Sequence, residues 1–403
     1  MRHRRPPHPA VGPPQYPLPM TQRHLAGARI LAQGLAGPPS TADPAEVART
    51  FGAHQGQDLP GVMASLALRS GGDLEPVLAA FDRGEIVRGY PMRGTVFAVA
   101  ADSLAWITEL CASGPQRAAV ARRGQLGIEE HHVDRAREVL EEIAAEHSRP
   151  GIGRGVLRKD LMAAWEAAGI STDQGRGYHH LVEMISTGVA AYGPWREGET
   201  AVVLASTWLP DGSDLEGAFN GDGTAAAAEL ARRYFLSHGP AGERDLAWWS
   251  KLPLGTLRAA LPLVQEQLES GFADREGRLH TTAESARGGD GERLWWRPGL
   301  AEEYAAREKE TMRELLLPGF DELVLGYRDR LYLMDEERHE VLVPGRNGVF
   351  KRTALRRGEV VGVWTRTGPA ATRRLVLDEL RPVSETQRKR FTRLFAEFPY
   401  TSA

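Results

Sequence analysis

Two neutral amides stand either side of one glycine in "FGAHQGQDLPGV", residues 51–62: Gln55, Gly56 and Gln57. On an extended segment residues two apart point to one face, so Gln55 and Gln57 are expected to look into a single groove, which a helix would not allow. Each amide offers an acceptor oxygen and two N–H donors, enough for the pair to hold one water and aim its lone pair at an electrophilic carbon. Glutamine is nonetheless a poor base. Ordinary glycoside hydrolysis needs a carboxylic acid to protonate the leaving group and a carboxylate to help the attacking side. Two amides suffice only when the leaving group departs without protonation, so that positioning water and stabilising positive charge with fixed dipoles is all that remains. The same residues also read as a solvated turn beside a helix end. Asp58, the nearest carboxylate, is expected to cap the helix that begins near Leu59, and His54 reads as structural.

These residues sit among short helices. Residues 1–20 are rich in proline and arginine, without periodic apolar positions, and read as a disordered tail, with Met20 as an alternative start. Within residues 21–145, "TQRHLAGARILAQGLAG", with Thr21 as N-cap, "TADPAEVARTFGA", "LPGVMASLALRSG" and "LEPVLAAFDRGE" read as four helices. The turn-rich "GYPMRG" and the alternation Thr95, Phe97, Val99 then predict a β-hairpin wing. The grammar of helices followed by a hairpin returns in residues 146–215, with a turn at "REGE", and in residues 216–300, where Asp245 can cap a helix. Three tandem winged-helix units are therefore expected. Residues 301–403 open with a charged helix and continue as expected strands at "DELVLGYRD", "RLYLMD", "EVLVPGRNGVFKRTALRRGEVVGVWTRT" and "RRLVLDEL", with Asn347 and Gly348 as the hairpin signal. The fold class is α+β.

Composition sets the outer limits. A chain of 403 residues suggests about two to four domains. With 42% hydrophobic and 26% charged residues and no apolar run long enough to span a membrane, it reads as a globular protein of the cytoplasm. Cys111 is the lone cysteine, which excludes an internal disulfide. Fifty Lys and Arg against fifty-three Asp and Glu give a net charge of −3, so any nucleic-acid binding must rely on local basic patches.

Taken in order, "HQGQD", "MRGTVFAVA", "RRYFLSHGPAGERDLAWWSKL", "LLPGFDELVLGYRDR" and "NGVFKRTALRRGEVVGVW" resemble the winged-helix DNA glycosylases related to AlkZ, from about Thr21 to the C-terminal strands. The resemblance implies three tandem winged helices, a C-terminal β-rich, barrel-like domain, and excision of alkylated purines, including those in interstrand crosslinks. It places the family's Gln-x-Gln motif on Gln55 and Gln57. The middle position, usually larger and apolar, is Gly56 here, and Phe97 stands where the family often has histidine. A purine alkylated at N7 is already cationic, and its glycosidic bond breaks toward an oxocarbenium-like sugar without an acid. That substrate matches two amides.

The implied partner is double-stranded DNA carrying alkylated purines, bound by a monomer with no cofactor. Arg88 and Arg93 flank the expected wing, and Arg154, Arg158, Lys159, Lys351 and Arg352 are candidates for backbone contact. Trp248 and Trp249 lie in a helical apolar pattern and read as packing residues rather than a base-stacking pair. Asp321, Glu322 and Asp329 read as a salt-bridged corner. "GIGRG" lacks the ending of a phosphate loop, and "EEHH" and "HH" lack a third ligand, so no metal is expected. A noncatalytic winged-helix DNA-binding protein or transcription regulator is the alternative reading; it would call for sequence-specific readout and a symmetric dimer.

Overall fold

The computed structural model describes residues 22–37, 42–281, 292–346, 348–369 and 372–400. The expected tail, the Thr21 cap and Asn347 lie outside them.

The first helices form where caps and apolar spacing dictate. After α1 (Arg23–Ala32), α2 (Pro44–Phe51) is started by Asp43, whose carboxylate accepts from the Ala45 N–H, and is stopped at Gly52, which adopts a left-handed φ of 78°. A two-residue strand β1 (His54–Gln55) separates it from α3 (Leu59–Arg69) and α4 (Glu75–Asp82). Strands β2 (Ile86–Met92) and β3 (Thr95–Ala100) follow as the expected hairpin. Its two turn residues, Arg93 and Gly94, have φ of 62° and 70°, the double left-handed turn that matches the twist of a hairpin.

Helices α5 (Ala101–Cys111), α6 (Ser113–Leu126) and α7 (Glu130–Ala144) lead to α8 (Arg158–Ala167), α9 (Arg176–Ser186) and a second hairpin, β4 (Ala190–Arg196) and β5 (Glu199–Leu204). It turns on Glu197 and Gly198 in the same conformation. The two hairpins share one antiparallel sheet of order β1-β3-β2-β4-β5, joined where Arg88 pairs with Tyr192. A site on β1 thereby shares one sheet with the second hairpin, across β3 and β2.

Two short helices, α10 (Ala205–Trp208) and α11 (Leu215–Phe219), precede α12 (Gly223–His238), β6 (Ala241–Gly242), α13 (Glu243–Ser250) and α14 (Leu254–Ala260). Asp245 contributes to the cap of α13 from its third position, accepting from the Gly242 N–H at 3.1 Å. Strands β7 (Glu269–Ala273), β8 (Leu279–Thr281) and β9 (Leu294–Trp296) complete a sheet of order β6-β9-β7-β8.

The C-terminal part differs from the sequence expectation. After α15 (Leu300–Thr311) and β10 (Leu315–Leu317), "DELVLGYRD" is not a strand but the single helical turn α16 (Glu322–Leu325), because Asp321 caps the Leu323 N–H at 3.0 Å. "RLYLMD" forms turns, and the following apolar residues belong to α17 (Glu336–Leu342), capped by Asp335. Short apolar runs buried on every side have no period to separate helix from strand, so the caps decide. Strands β11 (Thr353–Arg356), β12 (Glu359–Thr367) and β13 (Arg374–Glu379) pair in the order β10-β11-β12-β13, and α18 (Glu385–Ala396) packs on them. This hairpin turns on Arg357 and Gly358, not near Asn347. The sheet is open among the described residues, so the expected barrel is corrected to a four-stranded antiparallel sheet.

The buried apolar residues form several clusters, and one of them spans the three parts of the chain. It joins Phe97 of the first hairpin to Tyr234 and Trp249 of the third helical group and to Tyr327 and Leu355 of the C-terminal part.

Candidate active site

Gln55 lies on β1, opposite Phe97 of β3, with only 3% of its surface exposed. Both polar atoms of its side chain are engaged. The amide nitrogen donates to Thr95 Oγ1 at 3.2 Å, and the oxygen accepts from the backbone N–H of Gln57 at 3.1 Å. Gln57 itself is exposed, and its side-chain amide makes no hydrogen bond among the described residues. The structure therefore brings the two glutamines together, but with Gln55 beneath and Gln57 above rather than side by side in a groove.

Gly56, between them, is closely packed. Its N–H donates to Val96 O at 2.8 Å, and Arg88 Nη2 reaches its carbonyl at 2.8 Å. A Cβ here would stand 3.2 Å from Val96 O and 3.3 Å from Arg88 Nε, closer than ordinary contact. Arg88, expected on the wing against a phosphate, is instead buried and ties β1 to β5, its Nη1 donating to Thr200 Oγ1 at 2.8 Å. Burial lowers its pKa, and its guanidinium lies over the Tyr192 ring at 5.3 Å.

A cleft of about 290 Å³ opens at Gln57. Arg88, Tyr90, Tyr178, Tyr192 and Arg158 line it, with Glu199 as the carboxylate among its lining residues. Tyr178, 55% exposed, is tethered through its hydroxyl to that of Tyr90 at 3.1 Å. Burial raises the pKa of both Tyr90 and Tyr192, so these phenols stay neutral. The tyrosines and Glu199 escaped the sequence reading because they are distant in the chain; only the joining of β2 to β4 assembles them.

Below β1 a buried carboxylate organises the backbone. Glu322 Oε1 accepts from the Gln55 N–H at 2.7 Å, while Oε2 accepts from Trp249 Nε1 at 3.2 Å and lies 3.3 Å from His238 Nε2. Burial lowers the pKa of His238, and that of the fully buried His54 falls well below its usual value. Beside Glu322, Asp321 accepts two hydrogen bonds from Arg69, each at 2.9 Å, and a third from Ser65 Oγ at 3.0 Å. Of the expected salt-bridged corner, Asp321 has its arginine, whereas Glu322 meets His238 and Asp329 accepts from the Leu331 N–H. The link from Glu322 to Gln55 was not foreseen, although the run of acids before "LVLG" was its signal.

The other candidates are dispersed. Asp58 occupies the N-cap of α3 but makes no capping hydrogen bond, which corrects its expected role; its Oδ2 faces Arg352 at 4.0 Å. Arg93, at the tip of the first hairpin, lies over Trp248. Arg154 and Lys351 are exposed, and exposed Lys159 pairs with Glu197 at 2.9 Å.

The profile of the family described as DNA glycosylase AlkZ-like matches residues 48–398. Among solved structures, the chain is similar to the Streptomyces sahachiroi DNA glycosylase AlkZ, with 18% identity, a TM-score of 0.64, and coverage of 94% of this chain and 95% of that one. No curated protein sequence matches it. The family match takes in β1, both hairpins of the shared sheet, and Glu322, and with it the chain belongs to the AlkZ-like DNA glycosylases.

Proposed function

We propose that this protein is a monofunctional DNA glycosylase that hydrolyses the N-glycosidic bond of purines made cationic by alkylation at N7. The observation that supports this most directly is the division between the glutamines: Gln55 spends its amide on Thr95 and on the Gln57 backbone, leaving the Gln57 amide exposed at the cleft. In this reading Gln57 holds the attacking water and turns its carbonyl dipole toward the sugar, and Gln55 is the positioning residue that fixes it.

Water adds to C1′ as the C1′–N9 bond breaks. The bonding electrons neutralise the alkylated base, which leaves as a neutral purine, and the proton of the attacking water passes to solvent. No acid is required for the leaving group. No lysine is present among the lining residues to form a Schiff base, so strand cleavage is not expected. The three groups at 21–145, 146–215 and 216–300 act as winged helices cradling duplex DNA, with Arg154, Arg158, Lys159 and Lys351 available to its backbone. Unhooking of interstrand crosslinks is part of the same proposal.

The test is release of 7-methylguanine from methylated duplex DNA by the wild type and by Gln57→Ala, Gln55→Ala and Glu199→Gln. Loss of release in both glutamine variants with DNA binding kept supports the reading. Loss confined to Glu199→Gln would transfer the water to the carboxylate. No release by the wild type, with tight binding of undamaged DNA, would favour a regulator.

A further inference from the structure

The tip of the first hairpin meets α13 and the segment after α16 in a cluster of like charges. Guanidinium carbons of Arg93 and Arg330 lie over the Trp248 ring, 4.3 and 4.7 Å from its centroid, and Lys251 Nζ lies 5.7 Å from it. Arg330 also covers Phe350 at 5.0 Å and is tethered by its Nε donating to Val324 O at 3.1 Å. Among the described residues none of the three cations has a salt bridge. Arg93 Nη1 is buried without a partner.

The neighbouring carboxylates are committed elsewhere. Glu322 holds the Gln55 N–H and Trp249, Asp245 accepts from the Gly242 and Arg328 N–H groups, and Asp329 accepts from the Leu331 N–H. Burial and the proximity of Arg93 push the Arg330 pKa down to about 10, and both effects lower that of Lys251. One indole face attracts cations weakly and cannot neutralise three. Held together in partly dehydrated surroundings, such charges repel one another, which free protein tolerates and a bound anion relieves.

We propose that Arg93, Lys251 and Arg330, set on Trp248, form a binding site for a DNA backbone phosphate beside the lesion. The assignment rests on the DNA reading above. Its location is specific: Arg93 is two residues from Thr95, which holds the Gln55 amide, so a phosphate seated here fixes the strand relative to β1. Planar guanidinium groups packed on rings lose little freedom on meeting a phosphate.

The experiment is titration of an undamaged fluorescent duplex by anisotropy over a series of salt concentrations, with thermal melts in parallel. Lys251→Gln and Arg330→Gln are each expected to reduce the slope of log Kd against log salt by about 0.9 and to weaken binding several-fold. Arg330→Lys, which keeps the charge, should restore the slope. Because the cations repel in the free protein, Lys251→Gln should melt no lower than the wild type at low salt. Unchanged slopes in both glutamine variants, or a lowered melt with an unchanged slope, would overturn the site. Base release is read separately: a reduced slope without release keeps the phosphate site and removes the glycosylase reading, and release with unchanged slopes does the reverse.

Discussion

The two ends of the segment from Asp321 to Arg330 treat arginine in opposite ways. At its start, Arg69 is buried and ion-paired, with two hydrogen bonds to Asp321 and others to Ser65 and to Gln33 Oε1 at 2.7 Å, its Nε alone lacking a partner among the described residues. At its end, Arg330 and Arg93 share an indole with Lys251 and have no carboxylate in ion-pair contact among the described residues. Removing a charge from water is costly, so a buried pair persists only where an opposite charge and further hydrogen bonds offset that loss. A partly exposed cluster escapes most of that cost and can keep its charge for a polyanion. The glutamines repeat the contrast on a smaller scale: Gln55 is satisfied and buried, Gln57 is unsatisfied and exposed. In the proposed reading, the matched groups Gln55 and Arg69 hold the fold, and the unmatched Gln57 and Arg330 face the DNA.

The comparison breaks most readily at the matched end. Asp321→Ala strands the Arg69 charge and should cost about 3–5 kcal/mol in urea unfolding; a loss below about 1 kcal/mol would mean the pair is no anchor. Gln57→Ala, by contrast, should leave the melt unchanged while lowering the single-turnover rate of base release by roughly 10²–10³-fold. Equal losses of rate and stability would erase the distinction between the glutamines.

The buried imidazoles give a pH test. His54 and His238 have folded pKa values below 6.5, so they stay neutral while the unfolded chain gains protons as pH falls below 6.5. The stability they contribute is thus complete above about 6.5 and declines below it, by up to about 1.4 kcal/mol per pH unit for each group. His54→Phe should flatten that decline in unfolding curves taken between neutral and mildly acidic pH; an identical slope would assign it to other groups.

Smaller effects sharpen the picture. Gly56→Ala forces Val96 or Arg88 to shift and should cost about 1 kcal/mol with no gain in release rate, whereas a faster variant would show that the glycine had relaxed the site. Lys251→Gln should change stability by only a few tenths of a kcal/mol, upward at low salt; a clear drop would place Lys251 among the matched groups.

Much of this was legible in the sequence. Asp43 and Gly52 delimit α2, turn residues and alternation mark the first two hairpins, and the amide pair with its neighbouring motifs points to the family. These signals are local: a cap, a left-handed turn or a period of two is decided by a few adjacent residues. The fate of "DELVL" was not legible, because an apolar run buried all round carries no period and its Asp321 cap competes with β propensity. Nor was the site itself. Only the pairing of β2 with β4 brings Tyr178, Tyr192 and Glu199 to Gln57, and only the shared core seats Glu322 under Gln55 and Arg330 beside Arg93. The sequence by itself determined the elements and the amides, since those depend on neighbours along the chain. Tertiary structure alone decided which amide is spent and which arginine is matched, since that depends on partners tens to hundreds of residues away.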